Sequence, residues 1–287
     1  MKKLDRKTSF IIISLVYVSA IAIGVLTYMA LDTIAFYWSL FIADVIATVW
    51  VFIFGTIFKN ASVYDPYWSV KPIVVVVAFC IYRPLNLFQI LMVVVVCLWG
   101  IRLTANWAYT FHGLDHEDWR YRQIKANTGG LYPLVNLVGI HIVPTIVTYA
   151  VTLPAVFVLS VSGLGASVWC YLSLLLSTFA FCMQGLADVQ MHKYRKNRTT
   201  PFIRVGLWKY SRHPNYLGEI LMWWGVGLSA CLYLLKTWYL IIGAVLNTLL
   251  FLCISIPLAD KRQAKKEGYL EYKRKTRMLF PIPRFRK

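Results

Sequence analysis

Long apolar runs, punctuated by prolines, glycines and short basic clusters, dominate the chain. A helix needs about 20 apolar residues to cross a hydrocarbon core roughly 30 Å thick. On that measure the pattern predicts spans at 10–31, 36–58, 70–82, 85–111, 134–160, 165–191, 214–235 and 237–258. The third holds only about 13 residues, so seven or eight crossings are admissible by length, with a tilted or re-entrant third segment as the variant. Pro66, Pro72, Pro84, Pro133, Gly163, Gly165 and Pro214 fall between or at the edges of these runs and set their punctuation. The first run follows Lys2, Lys3, Arg6 and Lys7 as a signal peptide would, yet it is about 22 residues long with no convincing cleavage site, and is read as a retained span.

Composition turns this pattern into a class. With 59% apolar and 15% charged residues and a mean hydropathy of +0.61, the chain is too apolar for a water-soluble enzyme or a disordered segment. The expected fold is all-α: a polytopic transmembrane helical bundle forming one integral-membrane domain over 1–287. The formal charge of +18 would point to nucleic acid in a soluble protein, but here the placement of the cations sets topology. With eight crossings, 27 of the 30 Lys and Arg residues fall on the side of both termini, leaving Arg83 and Lys236 opposite and Arg102 inside a span. That asymmetry favours eight spans and a cytoplasmic location for both ends. Nucleic acid is not an expected partner; membrane lipids and a lipophilic small molecule are. The six cysteines are scattered through apolar segments, without the close pairing of a metal site or a disulfide framework.

An ionisable group inside a span costs about 2.5–3.5 kcal/mol on insertion scales and so marks a cavity or a partner. Arg102, Asn106 and Tyr109 recur at i, i+4 and i+7, on one helical face; a snorkelling arginine beside an interfacial tyrosine would look the same. Asp188, His192 and Arg195 repeat that spacing, with Gln184 one turn earlier; a local ion-pair ladder is the plainer alternative. Asp44 reads as helix packing or a hydrogen bond to a neighbour. Asp65, followed by Pro66, reads as a helix cap or as a proton donor able to polarise a carbonyl from a partly dehydrated pocket, with Trp68 as a flat apolar wall.

The densest constellation is GLWKYSRHPNYLGEILMWWG at 206–225. Pro214 suits a first helical position, and Arg212 and His213 before it would add charge to the free N–H groups of a helix start, an anion site. Asn215, Glu219 and Trp223 follow at i, i+4 and i+8, supplying an amide, a carboxylate and an indole N–H for a polar ring.

This string, with ASVYDPYWSV at 61–70, EDWRYRQ at 117–123, the stripe from Asp188 to Arg195 and EGYLEYKRKTRMLFPIP at 267–283, resembles the steroid 5-alpha-reductase-like membrane proteins, most closely the DUF1295 branch. The resemblance covers nearly the whole chain. It implies a helical membrane reductase that takes NADPH on the cytosolic side and delivers a hydride to a carbon–carbon double bond conjugated to a carbonyl. Asn215 and Glu219 then match the groups that hold the nicotinamide amide, Asp188 and Arg195 match ligands of ribose and phosphates, and Arg102 matches an arginine of the cofactor pocket. Asn106, His192, Tyr210, Arg212, His213, Tyr216 and Trp223 complete the expected cofactor set, within a part of the chain spanning about 99–287. Asp65 takes the place of the catalytic glutamate of steroid reductases. The tyrosine that partners that glutamate has no clear counterpart, Trp99 lying near its expected position.

NADPH is therefore the expected cofactor, with no metal and no GxGxxG loop. The 18 Lys and Arg of 192–213 and of the tail after 259 suit its phosphates, and also suit anionic lipid. Two other readings stand beside it: an S-adenosylmethionine-dependent methyltransferase of the isoprenylcysteine carboxyl type, which shares an Arg-His-Pro-x-Tyr stretch, and a non-catalytic lipid-binding membrane protein.

Overall fold

A computed structural model describes residues 4–81 and 83–282. The architecture is all-α, with twelve α-helices among the described residues: α1 (Arg6–Ala30), α2 (Phe36–Ile57), α3 (Tyr67–Cys80), α4 (Leu87–Thr110), α5 (Trp119–Thr128), α6 (Tyr132–Val135), α7 (Val143–Leu159), α8 (Val168–Lys196), α9 (Pro214–Leu234), α10 (Ile242–Leu250), α11 (Ile256–Gln263) and α12 (Tyr269–Lys275). Among these residues eight stretches are long and apolar enough to cross a membrane, which makes the chain a multi-pass integral membrane protein. The third stretch corrects the sequence expectation. It runs over Ala61–Cys80, because a 3₁₀ turn at Ala61–Tyr64 leads directly into α3 and Pro66 and Pro72 are absorbed at its start and interior. A proline in a membrane helix is tolerated where neighbouring groups take up the freed carbonyl. The fifth is also longer than expected, Trp119–Leu159, with a π-helical turn at Asn136–Ile142.

The chain divides into two compact units, 1–83 with 96–153, and 84–95 with 154–287. In the first, Ile13, Val16, Tyr17 and Ala20 of α1 pack on Ala47 and Val51 of α2. Polar groups inside this unit pair with each other. Lys71, at the start of the expected third span, is buried in α3, where its Nζ lies 2.8 Å from Asp44 Oδ2; a lone ammonium there would carry an uncompensated desolvation cost. The Tyr67 hydroxyl donates to Asp44 (3.3 Å), and Thr145 Oγ1 meets both Thr48 (2.9 Å) and Tyr64 (2.8 Å).

In the second unit α8 and α9 are pressed backbone to backbone. A Cβ at Gly218 would sit 2.7 Å from the Ala180 carbonyl, and one at Gly225 2.7 Å from the Ser173 carbonyl. Glycine at both places lets the helices approach, as small residues do in membrane bundles, and Ser177 Oγ donates across the seam to the Met222 carbonyl at 2.8 Å. The segment after α12 returns to the head of α9, where the Arg212 N–H donates to the Arg277 carbonyl (2.9 Å).

Candidate functional site

The close approach of α8 and α9 places a carboxylate in the interior of the second unit. Glu219 is 1% exposed. Its Oε2 accepts from Gln184 Nε2 and its Oε1 from Trp223 Nε1, each at 2.8 Å. Gln184 is itself buried, and its Oε1 has no hydrogen-bond partner. A buried amide oxygen left unmatched is a place for a donor, since such atoms are normally satisfied. Asn215, half-buried one turn before Glu219 on the same face, makes no side-chain hydrogen bond among the described residues. Convergent acceptors beside a free amide fit a carboxamide.

Along α8 the stripe continues from Gln184 to half-buried Asp188 and His192 and exposed Arg195. Gln184 and Arg195 stand about 16 Å apart at ~1.5 Å of rise per residue. At the Arg195 end the cations crowd: partial burial and the guanidinium groups of Arg198, Arg262 and Arg195 hold the Lys266 ammonium below the ordinary lysine value. A field strong enough to oppose a lysine's charge attracts phosphate.

Arg212 and His213 are not the open anion site expected from the sequence. Arg212 Nη2 lies 3.2 Å from Asp260 Oδ2, and its Nη1 donates to the carbonyls of Thr276 (2.7 Å) and Lys273 (3.2 Å). His213 Nε2 is 3.0 Å from Asp260 Oδ1. The Tyr269 hydroxyl (2.5 Å) and Lys273 Nζ (3.1 Å) close the same carboxylate, and burial together with that hydrogen bond raises the Tyr269 phenol above its usual value. Both residues therefore serve as a latch that ties α11, α12 and the following segment to the head of α9. Tyr216 stacks on His213 at 5.2 Å and meets Phe251 at 4.9 Å, while Tyr210 is 38% exposed under Lys209. Asp260, the hub, was not singled out from the sequence: it ends a span beside a basic tail and meets His213 across 47 residues.

The first unit carries a second acidic site. Asp65 closes the 3₁₀ turn before α3, and its Oδ1 accepts from the Tyr121 hydroxyl at 2.6 Å, with Arg120 Nη2 at 3.8 Å. The strand of chain before α5 is tied to that turn by Asp118 N–H to Ser62 Oγ (2.8 Å) and Ala61 N–H to Glu117 Oε1 (3.0 Å). Tyr121 lies within EDWRYRQ, and nothing in its spacing from Asp65 signals the contact. Trp99 is fully buried in α4. Arg102 and Asn106 are half-buried on α4 and belong with Asp65 in the first unit, while Tyr109 is 55% exposed. Among the described residues no three His, Cys, Asp or Glu side chains gather to hold a metal ion.

The profile of a family described as "Protein of unknown function (DUF1295)" matches residues 50–276. An uncharacterized protein of Schizosaccharomyces pombe is 28% identical over 194 residues, which make up 58% of this chain and 56% of that relative; the chain thus matches about half of the relative's length. No solved structure matches.

Proposed function

The chain belongs to the DUF1295 family, and from that premise we propose that it is an NADPH-dependent membrane reductase acting on a lipophilic substrate with a double bond conjugated to a carbonyl. The observation that carries this reading is the Gln184–Glu219–Trp223 cluster, a buried acceptor set with one oxygen unmatched. NADPH, when bound, supplies the hydride. Gln184 Oε1 and Glu219 would accept from the carboxamide N–H groups, and Asn215 would donate to its carbonyl. Trp223 and Gln184 keep the Glu219 carboxylate in place by filling its other lone pairs. Arg195, Arg198, Arg262 and Lys266 draw the phosphates to the far end of the α8 stripe.

Proton handling falls to Asp65 and Tyr121. The Tyr121 hydroxyl donates its one proton to Asp65 Oδ1; turned from Asp65 to a substrate carbonyl, it would hydrogen-bond that oxygen as negative charge develops on it. The same reading puts both termini and the cofactor end on the cytoplasmic side, where the basic loops lie.

Thermal unfolding of the purified protein with added NADPH, NADH or S-adenosylhomocysteine tests this directly. NADPH is expected to raise the midpoint, NADH less so and S-adenosylhomocysteine not at all. Stabilisation by S-adenosylhomocysteine alone would transfer the protein to the methyltransferases, and a flat response to all three would leave a lipid-binding protein.

A further inference from the structure

On the face of α8 opposite the Gln184–Asp188–His192 stripe, an open pocket of about 510 Å³ lies between the helix end and the chain that follows. Its walls are built. Gln190 Oε1 accepts the Leu207 N–H at 2.9 Å, the Tyr194 hydroxyl donates to the Thr200 carbonyl at 2.5 Å, and Thr200 Oγ1 donates to the Phe202 carbonyl at 2.8 Å. Gly206, at φ +59°, passes so close to the Gln190 amide that a Cβ would collide with it. Arg204 is held over the Phe202 ring at 5.2 Å. Facing the opening, Lys193, Asn197 and Thr199 line the pocket and make no side-chain hydrogen bond among the described residues. The eight lining residues include two cations and no carboxylate.

The pocket continues a membrane-facing surface. Leu172, Leu175, Phe179, Leu186 and Val189 are 48–63% exposed, and they advance in steps of three, four and seven residues along one face of α8 whose next positions are Lys193 and Asn197. An apolar track that ends in cations, an amide and a hydroxyl matches an acyl chain joined to an anionic head. We propose that this is a binding site for an anionic phospholipid of the surrounding bilayer, its acyl chain along Leu175–Val189 and its phosphate between Lys193 and Arg204. The site lies on a different face of α8 from the proposed nicotinamide cluster and does not depend on the reductase reading.

Native mass spectrometry of the full chain, exchanged into mixed phosphatidylglycerol and phosphatidylcholine, reads the site. The wild type is expected to retain phosphatidylglycerol preferentially. The double variant Lys193→Glu, Arg204→Glu should lose that preference by at least about ten-fold, from the loss of ~1 kcal/mol per cation near an anionic head. Lys193→Arg should keep it, as should Lys265→Glu, an exposed charge reversal outside the pocket. An unchanged preference in the double variant, or an equal loss in Lys265→Glu, overturns the proposal. Displacement of the lipid by millimolar inorganic phosphate would also overturn it, assigning the pocket to a soluble anion.

Discussion

Two polar clusters near the start of α9 differ in how they are satisfied. Around Asp260, Arg212, His213, Lys273 and the Tyr269 hydroxyl fill one carboxylate, and the atom left unmatched there is a donor, Arg212 Nε. Around Glu219, within α9, two neutral donors hold the carboxylate while the Gln184 Oε1 beside it is unmatched. A cluster closed on itself holds the chain together, and one with an unmatched buried acceptor has room for a ligand's donor. The Arg-His-Pro string, the most conspicuous feature of the sequence, thus belongs to the first kind.

The largest effect is expected from breaking the closed cluster. Asp260→Ala leaves Arg212 and His213 buried without their anion and should destabilise the protein by about 3–5 kcal/mol, read as a lowered midpoint of denaturant unfolding; an unchanged midpoint would show that the latch holds nothing. Breaking the open cluster should act on binding instead. Glu219→Gln keeps an acceptor for Trp223, and the Gln184 amide can turn to meet the new one, so unfolding should hardly move. NADPH affinity should drop by about 1.5–3 kcal/mol, the worth of a hydrogen bond to a charged group. Equal losses of stability and affinity would erase the contrast between the clusters. The smallest effect belongs to the solvent-facing end: Arg195→Ala should weaken NADPH by about 1 kcal/mol or less, with little change for NADH, in equilibrium titrations at low salt.

The fold was largely legible because apolar run length is a strong signal, and eight helical stretches stand where eight runs were read. The exceptions are instructive. Pro66 and Pro72 read as breakers, yet a 3₁₀ turn and an interior proline carry the third span across them. Lys71 carries no sequence signal of its role, since no periodicity reveals that Asp44 waits for it 27 positions earlier. At the site, the i, i+4 arithmetic found Gln184, Glu219 and Trp223, which are local to two helices. Asp260 and Tyr121 escaped it because their partners, His213 and Asp65, are brought to them by tertiary packing across 47 and 56 residues.

The most direct measurement compares NADPH with its 3-acetylpyridine analogue, in which a methyl group replaces the carboxamide nitrogen and the two N–H donors are gone. If Gln184 Oε1 and Glu219 receive those donors, the analogue binds the wild type about ten-fold more weakly, and the gap closes in Gln184→Leu. Equal affinity of the wild type for the two dinucleotides would contradict the assignment.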